Sequence, residues 1–266
     1  MTLRPVQPTP DYVPGHDLLR DRTVVVTAAA GAGIGASVVR RALEEGARAV
    51  VFSDTHERRL AEAEEALAAE FGADRVRQVV CDVTDEAQVQ RLLDVAEEFG
   101  GIDVMINNAG LGGTASVLEM TDEQWTRVLD ITLTGTFRCV RAVGQRMVAS
   151  GTRGVIVNNA SVIGWRAQEG QAHYAAAKAG VMALTRCAAL DLAPHGIRVN
   201  AVSPSLAMHP FLAKVTSDEL LHELTQREAF GRAAEPWEVA NVMVFLASDY
   251  SSYLTGEVVS VSSQRA

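Results

Sequence analysis

Three observations predict an α/β fold in which one parallel sheet is covered by helices on both faces. Short runs of β-branched residues alternate with longer stretches whose apolar residues fall three and four apart. Gly46, Gly72 and Gly100 each follow such a stretch, where a helix often closes on a left-handed residue. The first β-branched run ends in a glycine-rich turn that opens directly into a helical pattern. Parallel strands need a crossover between them, and a helix at every step supplies it.

The strands are expected, in order, at Thr23–Thr27, Ala49–Ser53, Val76–Cys81, Val104–Ile106, Val155–Val157, Arg198–Val202 and Val258–Val261. The segments "RRLAEAEEALAAEFG" and "EAQVQRLLDVAEEFGG" lie between the second and fourth of these, and longer helices are expected around Gln124–Ala149 and Tyr174–Leu192. No internal repeat or interdomain linker interrupts the alternation, so residues 21–266 read as a single doubly wound domain with a seven-stranded parallel sheet. Residues 1–20 read as an extended arm. Four of the eight prolines (Pro5, Pro8, Pro10 and Pro14) fall there, each fixing φ and removing a backbone donor. The arm is expected to be a mobile tail or to pack on a neighbouring subunit.

Composition narrows the function. The 24 basic residues are outnumbered by 33 acidic ones, for a net charge of -9 with no Lys/Arg-rich run, which argues against a nucleic-acid partner. Three widely spaced cysteines (Cys81, Cys139 and Cys187) suggest neither a disulfide framework nor a zinc site. No apolar stretch approaches the ~20 residues of a membrane span, and no basic-then-apolar leader opens the chain. The expectation is a soluble cytoplasmic protein with no membrane partner.

The turn after the first strand, Gly31–Ala36, reads G-A-G-I-G-A and fits G-x-G-x-x-G/A. A helix N-terminus presents free N–H groups and partial positive charge, which suit the pyrophosphate of a dinucleotide. A carboxylate, Asp54, lies 19 residues beyond Gly35 at the end of the second strand. Further on come "CDVTD" after the third strand, "NNAG" at Asn107–Gly110 after the fourth, and "VNNASVIG" after the fifth. In "HYAAAK", Tyr174 and Lys178 are four apart on one helix face, and Ser161 lies 13 residues before Tyr174.

From about Thr23 to Val261 these motifs resemble the short-chain dehydrogenase/reductases, a family with the Rossmann fold. The resemblance implies a nicotinamide cofactor held by Gly31, Gly33, Ile34 and Gly35, with Asp82 and Val83 lining the adenine pocket. It also implies that Asn107 stabilises the sheet edge, and that the small residues of Asn108, Ala109 and Gly110 let the backbone approach the cofactor. Asp54 stands where relatives that prefer NAD carry an acid for the adenosine ribose hydroxyls, and a carboxylate there repels the 2′-phosphate of NADP. Asp54 also reads as a helix N-cap, the two roles being compatible, and Arg58 and Arg59 nearby could soften the discrimination.

Hydride transfer between an alcohol carbon and a nicotinamide needs a group that moves the hydroxyl proton. Tyr174 fills that role, with Lys178 expected to lower its pKa and hold the nicotinamide ribose, and Ser161 to donate to the substrate oxygen.

Three departures from the family stand out. Its T-G-x-x-x-G-x-G turn gains a residue here and has Ala28 or Ala29 in place of the first glycine, so Gly31 is expected to take over any positive φ. Thr132, in "DITLTGTF", replaces the asparagine that helps hold a proton-relay water. "PSLAMH" replaces "PG-x-I-x-T", so that beside Pro204 the nicotinamide-amide contact passes to His209 or to backbone. His173, His195 and His222 lack metal-ligand spacing and read as structural or exposed.

The segment opening with Leu206, Met208, Phe211 and Leu212, with Trp165 as a facing wall, suits a bulky hydrocarbon framework. Through "TAAAG-x-GIG", "NNASV", "GWRAQ", "AFGRAAEPWEVA" and "SSQRA" the chain is similar to actinobacterial reductases of steroid breakdown, which act on ring fragments carried as coenzyme A thioesters. That implies an alicyclic secondary alcohol or ketone carried as a CoA ester, with Lys214 and the arm's basic residues as candidates to meet its phosphates. The alternatives are an NADP-using 3-oxoacyl thioester reductase, a non-catalytic nucleotide-binding regulator, or a scaffold whose long helices bind partners. In the family those helices form a homodimer core, and dimers commonly pair into a homotetramer.

Overall fold

The computed structural model describes residues 6–208 and 218–263. Seven parallel strands form one sheet in the order β3-β2-β1-β4-β5-β6-β7. They are β1 (Thr23–Val26), β2 (Ala49–Asp54), β3 (Val76–Val80), β4 (Val104–Asn107), β5 (Val155–Asn159), β6 (Arg198–Pro204) and β7 (Val258–Val261). The helices are α1 (Ile34–Glu44), α2 (Glu57–Phe71), α3 (Glu86–Glu97), α4 (Asp122–Leu129), α5 (Gly135–Ser150), α6 (Ala172–Leu192), α7 (Asp218–Arg227) and α8 (Pro236–Ala247). Both the fold class and the positions of all seven strands match the sequence expectation.

Successive side chains of a strand face opposite ways, so a strand covered on both sides is apolar throughout. In β1, Val24 and Val26 pack with α1, α2 and α8 on one face, while Val25 packs with α3, α5 and α6 on the other. Helix starts are fixed by side chains where the sequence offers them. Asp85 accepts from Ala87 N and Gln88 N at 2.8 and 3.2 Å, and Thr121 and Gln124 cap α4 reciprocally. Gly46, Gly72 and Gly100 have φ of 80°, 100° and 89°, as their positions implied.

Several strands run further than expected at their carboxyl ends, because Asn107, Asn158 and Asn159 remain in register with their neighbours although they are polar. Between α4 and α5 the helix widens into a π-helical stretch, Asp130–Thr134. Among the described residues, no helix is long and apolar enough to cross a membrane.

The described part of the arm lies along the chain's own α1 and α8, which speaks against the mobile tail of the two expectations. Arg41 and Glu45 form a buried ion pair at 2.5 Å. Arg41 also donates to the carbonyls of Val13 and Pro14, while Glu45 accepts from His16 N at 2.7 Å and Leu18 N at 2.9 Å. Tyr12 donates to Glu44 and meets the Trp237 ring edge-on at 5.3 Å. Gly15 is a required glycine, since a Cβ there would stand 2.2 Å from the Glu44 carbonyl oxygen. Arg20 pairs with Asp17, so this basic residue of the arm is spent on a carboxylate of the protein itself.

Candidate active site

The carboxyl ends of β1, β4, β5 and β6 carry the motif residues, and the chain changes winding direction between β1 and β4. Ligands of such sheets settle in that crevice.

On the β1 side, the turn departs from expectation in one respect. Ala28 itself takes φ 53°, whereas Gly31 is not among the positive-φ glycines. The left-handed corner therefore stays directly after Thr27, on a residue with a Cβ. Gly35 explains why the turn is held so tightly. A Cβ on it would stand 2.5 Å from Asn108 Nδ2 and 2.6 Å from the Ala28 carbonyl oxygen. Gly33, the N-cap of α1, supplies no side-chain cap, and the first turn of α1 holds no acidic residue. Nothing lies within 4 Å of where a Gly31 Cβ would be. An uncapped helix N-terminus beside open space, followed by Ile34 and Gly35, fits a dinucleotide pyrophosphate.

Asp54 ends β2 and closes the turn from below. Its Oδ2 accepts from Ala30 N and its Oδ1 from His56 N, each at 3.2 Å. The N-cap of α2 is His56, not Asp54. Asp82 is turned inward to accept from Thr84 N and Oγ1 at 2.9 and 2.8 Å, and Val83 is buried against Gly135.

On the other side of the crevice, polar side chains hold one another. Asn107 ends β4, the central strand, so its role is in the middle of the sheet rather than at an edge strand. Its amide donates to Asn158 Oδ1 at 2.8 Å. Asn158 donates to Thr185 Oγ1 at 2.9 Å, and Thr185 donates to the Val181 carbonyl at 2.8 Å. This chain ties β4 and β5 to α6. Asn159 donates to Asn108 Oδ1 at 2.9 Å, and Asn108 Nδ2 donates to the carbonyls of Thr27 and Ala28 at 3.2 and 3.0 Å. Thr27 Oγ1 accepts from Asn108 N and Ala109 N, both at 3.0 Å. Asn108 is thus a bridge from the reacting side to the glycine turn.

Lys178 is buried in α6 and donates to the Asn159 carbonyl at 2.5 Å. A Cβ on Gly110 would lie 3.3 Å from its Nζ, which is why the chain has glycine there. Burial lowers the Lys178 pKa to about 8. Tyr174, one turn earlier, has its ring centroid 5.6 Å from that Nζ. Burial raises the Tyr174 pKa, opposed by a side-chain hydrogen bond with Ser161. The depression expected from Lys178 does not offset that burial. Ser161 N-caps the short 3₁₀ turn Val162–Gly164 by accepting from Ile163 N at 3.3 Å.

Thr132 lies in the π-helical stretch, fully buried. Its hydroxyl accepts from Leu111 N at 3.0 Å and donates to Leu111 O at 3.2 Å, so it is committed to fixing the loop after Gly110.

Pro204 ends β6, buried beside this group, and the chain continues through Ser205, Leu206, Ala207 and Met208. Trp165 is half exposed. His209, Phe211, Leu212 and Lys214 lie outside the described residues. His173 is buried, its Nδ1 accepting from Tyr174 N at 2.9 Å, while His195 and His222 are exposed.

Sequence reading missed Asn158, Asn159, Thr27 and Thr185. A signal existed, since "NN" closes β5 as it closes β4, a polar pair ending each of two buried strands.

The family profile described as enoyl-(acyl carrier protein) reductase matches residues 28–263. A (5R,7aS)-5-hydroxy-7a-methyl-1-oxo-2,3,5,6,7,7a-hexahydro-1H-indene-carboxyl-CoA reductase of Mycobacterium tuberculosis is 60% identical over 96% of this chain and 97% of its own. A 3-alpha-(or 20-beta)-hydroxysteroid dehydrogenase of the same species is 42% identical over 88% of this chain and 85% of its own. The crystal structure of a short-chain dehydrogenase from Mycobacterium smegmatis superposes with a TM-score of 0.86 at 55% identity, covering 97% of this chain and 99% of that one. The chain is an NAD(P)-dependent oxidoreductase belonging to the short-chain dehydrogenase/reductase family.

Proposed function

We propose that this enzyme transfers hydride between NAD and a secondary alcohol or ketone on an alicyclic, steroid-ring-derived framework carried as a CoA thioester. The observation that carries the reading is Ser161 hydrogen-bonded with Tyr174, with a buried Lys178 one helical turn along, in a chain 60% identical to an indene-carboxyl-CoA reductase.

Each residue has a defined part. Ser161 donates to the substrate oxygen and stabilises the charge that builds there. Tyr174 Oη gives its proton to that oxygen in reduction and takes it back in oxidation. Lys178, held by the Asn159 carbonyl, favours the phenolate and faces the ribose side of the crevice. Thr132 supports this by locking Leu111 behind Gly110. When bound, the nicotinamide supplies or accepts the hydride. Gly31, Gly33, Ile34 and Gly35 receive the pyrophosphate at the N-terminus of α1, Asp82 and Val83 border the adenine, and Asn108, Ala109, Gly110 and Pro204 line the nicotinamide side. NAD is preferred because Asp54, at the end of β2, repels a 2′-phosphate.

Partly buried Leu206 and Met208, with Trp165, supply apolar walls for a ring substrate. A homodimer or homotetramer in the cytoplasm completes the proposal. Trp125, Phe137, Val148 and Leu190 are exposed large apolar residues on α4, α5 and α6, as a shared helical interface requires.

The test compares kcat/KM for a bicyclic hydroxyacyl-CoA, its free acid, a linear 3-hydroxyacyl-CoA and a sugar alcohol, each with NAD and NADP. A preference for the bicyclic thioester with NAD is expected. Preference for the linear thioester with NADP would replace this reading with that of a 3-oxoacyl reductase. Equal rates for thioester and free acid would remove the CoA part alone. Asp54→Ala should narrow the gap between NAD and NADP.

A further inference from the structure

Three separate parts of the chain converge on the carboxylate of Glu228, which is 1% exposed. From the exit of β6, Ser205 Oγ donates to Oε2 at 3.1 Å and Leu206 N is directed at Oε1 at 3.4 Å. From the segment after β7, Ser263 Oγ donates to Oε2 at 2.7 Å. Glu228 itself follows α7 and begins the turn that leads to α8.

Backbone pairing reinforces the junction. Ser205 N donates to Val261 O at 3.1 Å, Ala229 N to Ser263 O at 2.8 Å, and Ala234 N to Leu206 O at 2.8 Å. Met208 N donates to Ala234 O at 2.9 Å.

A carboxylate taken out of water is costly unless donors surround it, and charge-assisted bonds are the stronger kind. Its placement at this junction therefore gives the junction one preferred geometry. What it fixes is the first stretch of chain beyond the carboxyl end of β6. That strand adjoins β5, whose end carries Ser161, and the Ala160 N–H donates to the Val202 carbonyl at 2.8 Å. The position of Leu206 and Met208 relative to the Ser161 side of the crevice thus depends on Glu228.

We infer that Glu228 is a positioning residue for the reaction, its carboxylate joining Ser205, Leu206 and Ser263 to set where the Pro204–Met208 segment stands against the bound substrate. The inference rests on the functional reading above for its kinetic consequence, and on the hydrogen bonds alone for its structural one.

The experiment pairs Glu228→Gln and Ser205→Gly, singly and together, with Ser205→Thr as the variant that keeps a hydroxyl. KM and kcat are measured on the preferred alcohol, with amide hydrogen exchange of residues 205–208 in the same proteins. Glu228→Gln and Ser205→Gly should each raise KM about five- to tenfold with kcat changed less than about twofold. Exchange in the segment should speed at least about tenfold, Ser205→Thr should stay close to wild type, and the double variant should be no worse than Glu228→Gln. Should Glu228→Gln fail to fold, Ser205→Gly with Ser263→Ala carries the same comparison. Unchanged exchange and KM in the folded variants, or fully additive effects of Ser205→Gly and Glu228→Gln, would overturn the assignment. If the wild-type protein oxidises no alcohol at all, the functional reading fails by itself, and the exchange measurement still decides whether the clamp exists.

Discussion

Around Lys178 the site is held by side chains that grip one another: Asn107 to Asn158, Asn158 to Thr185, Asn159 to Asn108, and Lys178 to the Asn159 carbonyl. Around Gly31, across the same crevice, it is shaped by what side chains leave out. The N-cap has no capping group, Gly35 admits no Cβ, and Ala28 bends the chain through a left-handed φ. The first region orients reacting atoms, which demands fixed polar groups of one geometry. The second binds a phosphate bridge through backbone N–H groups, which demands access. The two should therefore fail differently. Damage to the first appears in kcat and in stability, and damage to the second appears in cofactor affinity.

The largest separation is expected from Tyr174→Phe, which removes the proton carrier and keeps the ring. It should lower kcat by at least ~10²-fold while NAD binding is kept. A variant retaining more than a tenth of wild-type kcat in steady-state assays would reject the assignment.

Next in size is Asn158→Ala. It strands the Asn107 amide and breaks the link to Thr185, at a cost of about 2–4 kcal/mol in urea unfolding. A loss below about 1 kcal/mol would mean that the chain of amides is not a structural tie.

Lys178→Met tests the first region by its charge. The folded pKa is lowered to about 8 by burial, against about 10.4 when unfolded. Between those values the unfolded chain binds the extra proton, so the contribution of Lys178 to stability rises as pH rises from about 8 to about 10. Below about pH 8 the full penalty of the buried ammonium applies. The methionine variant should be inactive yet about 1–2 kcal/mol more stable at pH 7, the lost bond to Asn159 offsetting part of the gain. Burial also raises the thiol pKa of Cys81 and Cys139, which lowers stability above about pH 9 equally in both proteins, so thermal melts from pH 7 to 10 are compared as a difference. The advantage of the methionine variant should shrink as pH rises from about 8 to about 10, and a difference that stays constant would contradict the buried-lysine account.

The smallest effect is expected in the second region, from Ala28→Gly. Relief of the left-handed alanine should slightly outweigh the added backbone freedom, for a gain of about 0.5 kcal/mol in the urea midpoint. A loss of more than about 1 kcal/mol would show that the Ala28 methyl is itself a packing element.

Much of this was readable beforehand, for reasons that differ by residue. The inner strands announce themselves because a strand buried on both faces must be apolar throughout, as Val24–Val26 and Val50–Phe52 are, and the edge strands β3 and β7 by their β-branched residues alone. Ser161, Tyr174 and Lys178 stand at intervals set by one strand end and one helix turn, and spacing of that kind survives in a linear text.

The corner at Ala28 was misassigned because composition favours glycine for positive φ, whereas here the close approach of Gly35 and Asn108 decides the backbone. Thr132 was read by its place in a motif, and its bonds with Leu111 join two segments that no motif links. Thr185 and Glu228 carry no pattern of their own. Each acquires its partners only when distant segments are folded together.

The strap that Arg41 and Glu45 hold against α1 has a consequence beyond that helix. Val13, Pro14 and His16 bond to residues of α1, yet the ring that Tyr12 meets belongs to Trp237, and Gln7 N donates to Phe230 O at 2.8 Å. The strap thus ties α1 to a segment far along the chain. Arg41 and Glu45 complete their hydrogen bonding only when the strap lies down. The strap's full seat exists only with α8 docked. Loosening of α8 is therefore felt on a different helix, at the buried Arg41–Glu45 pair that the strap covers.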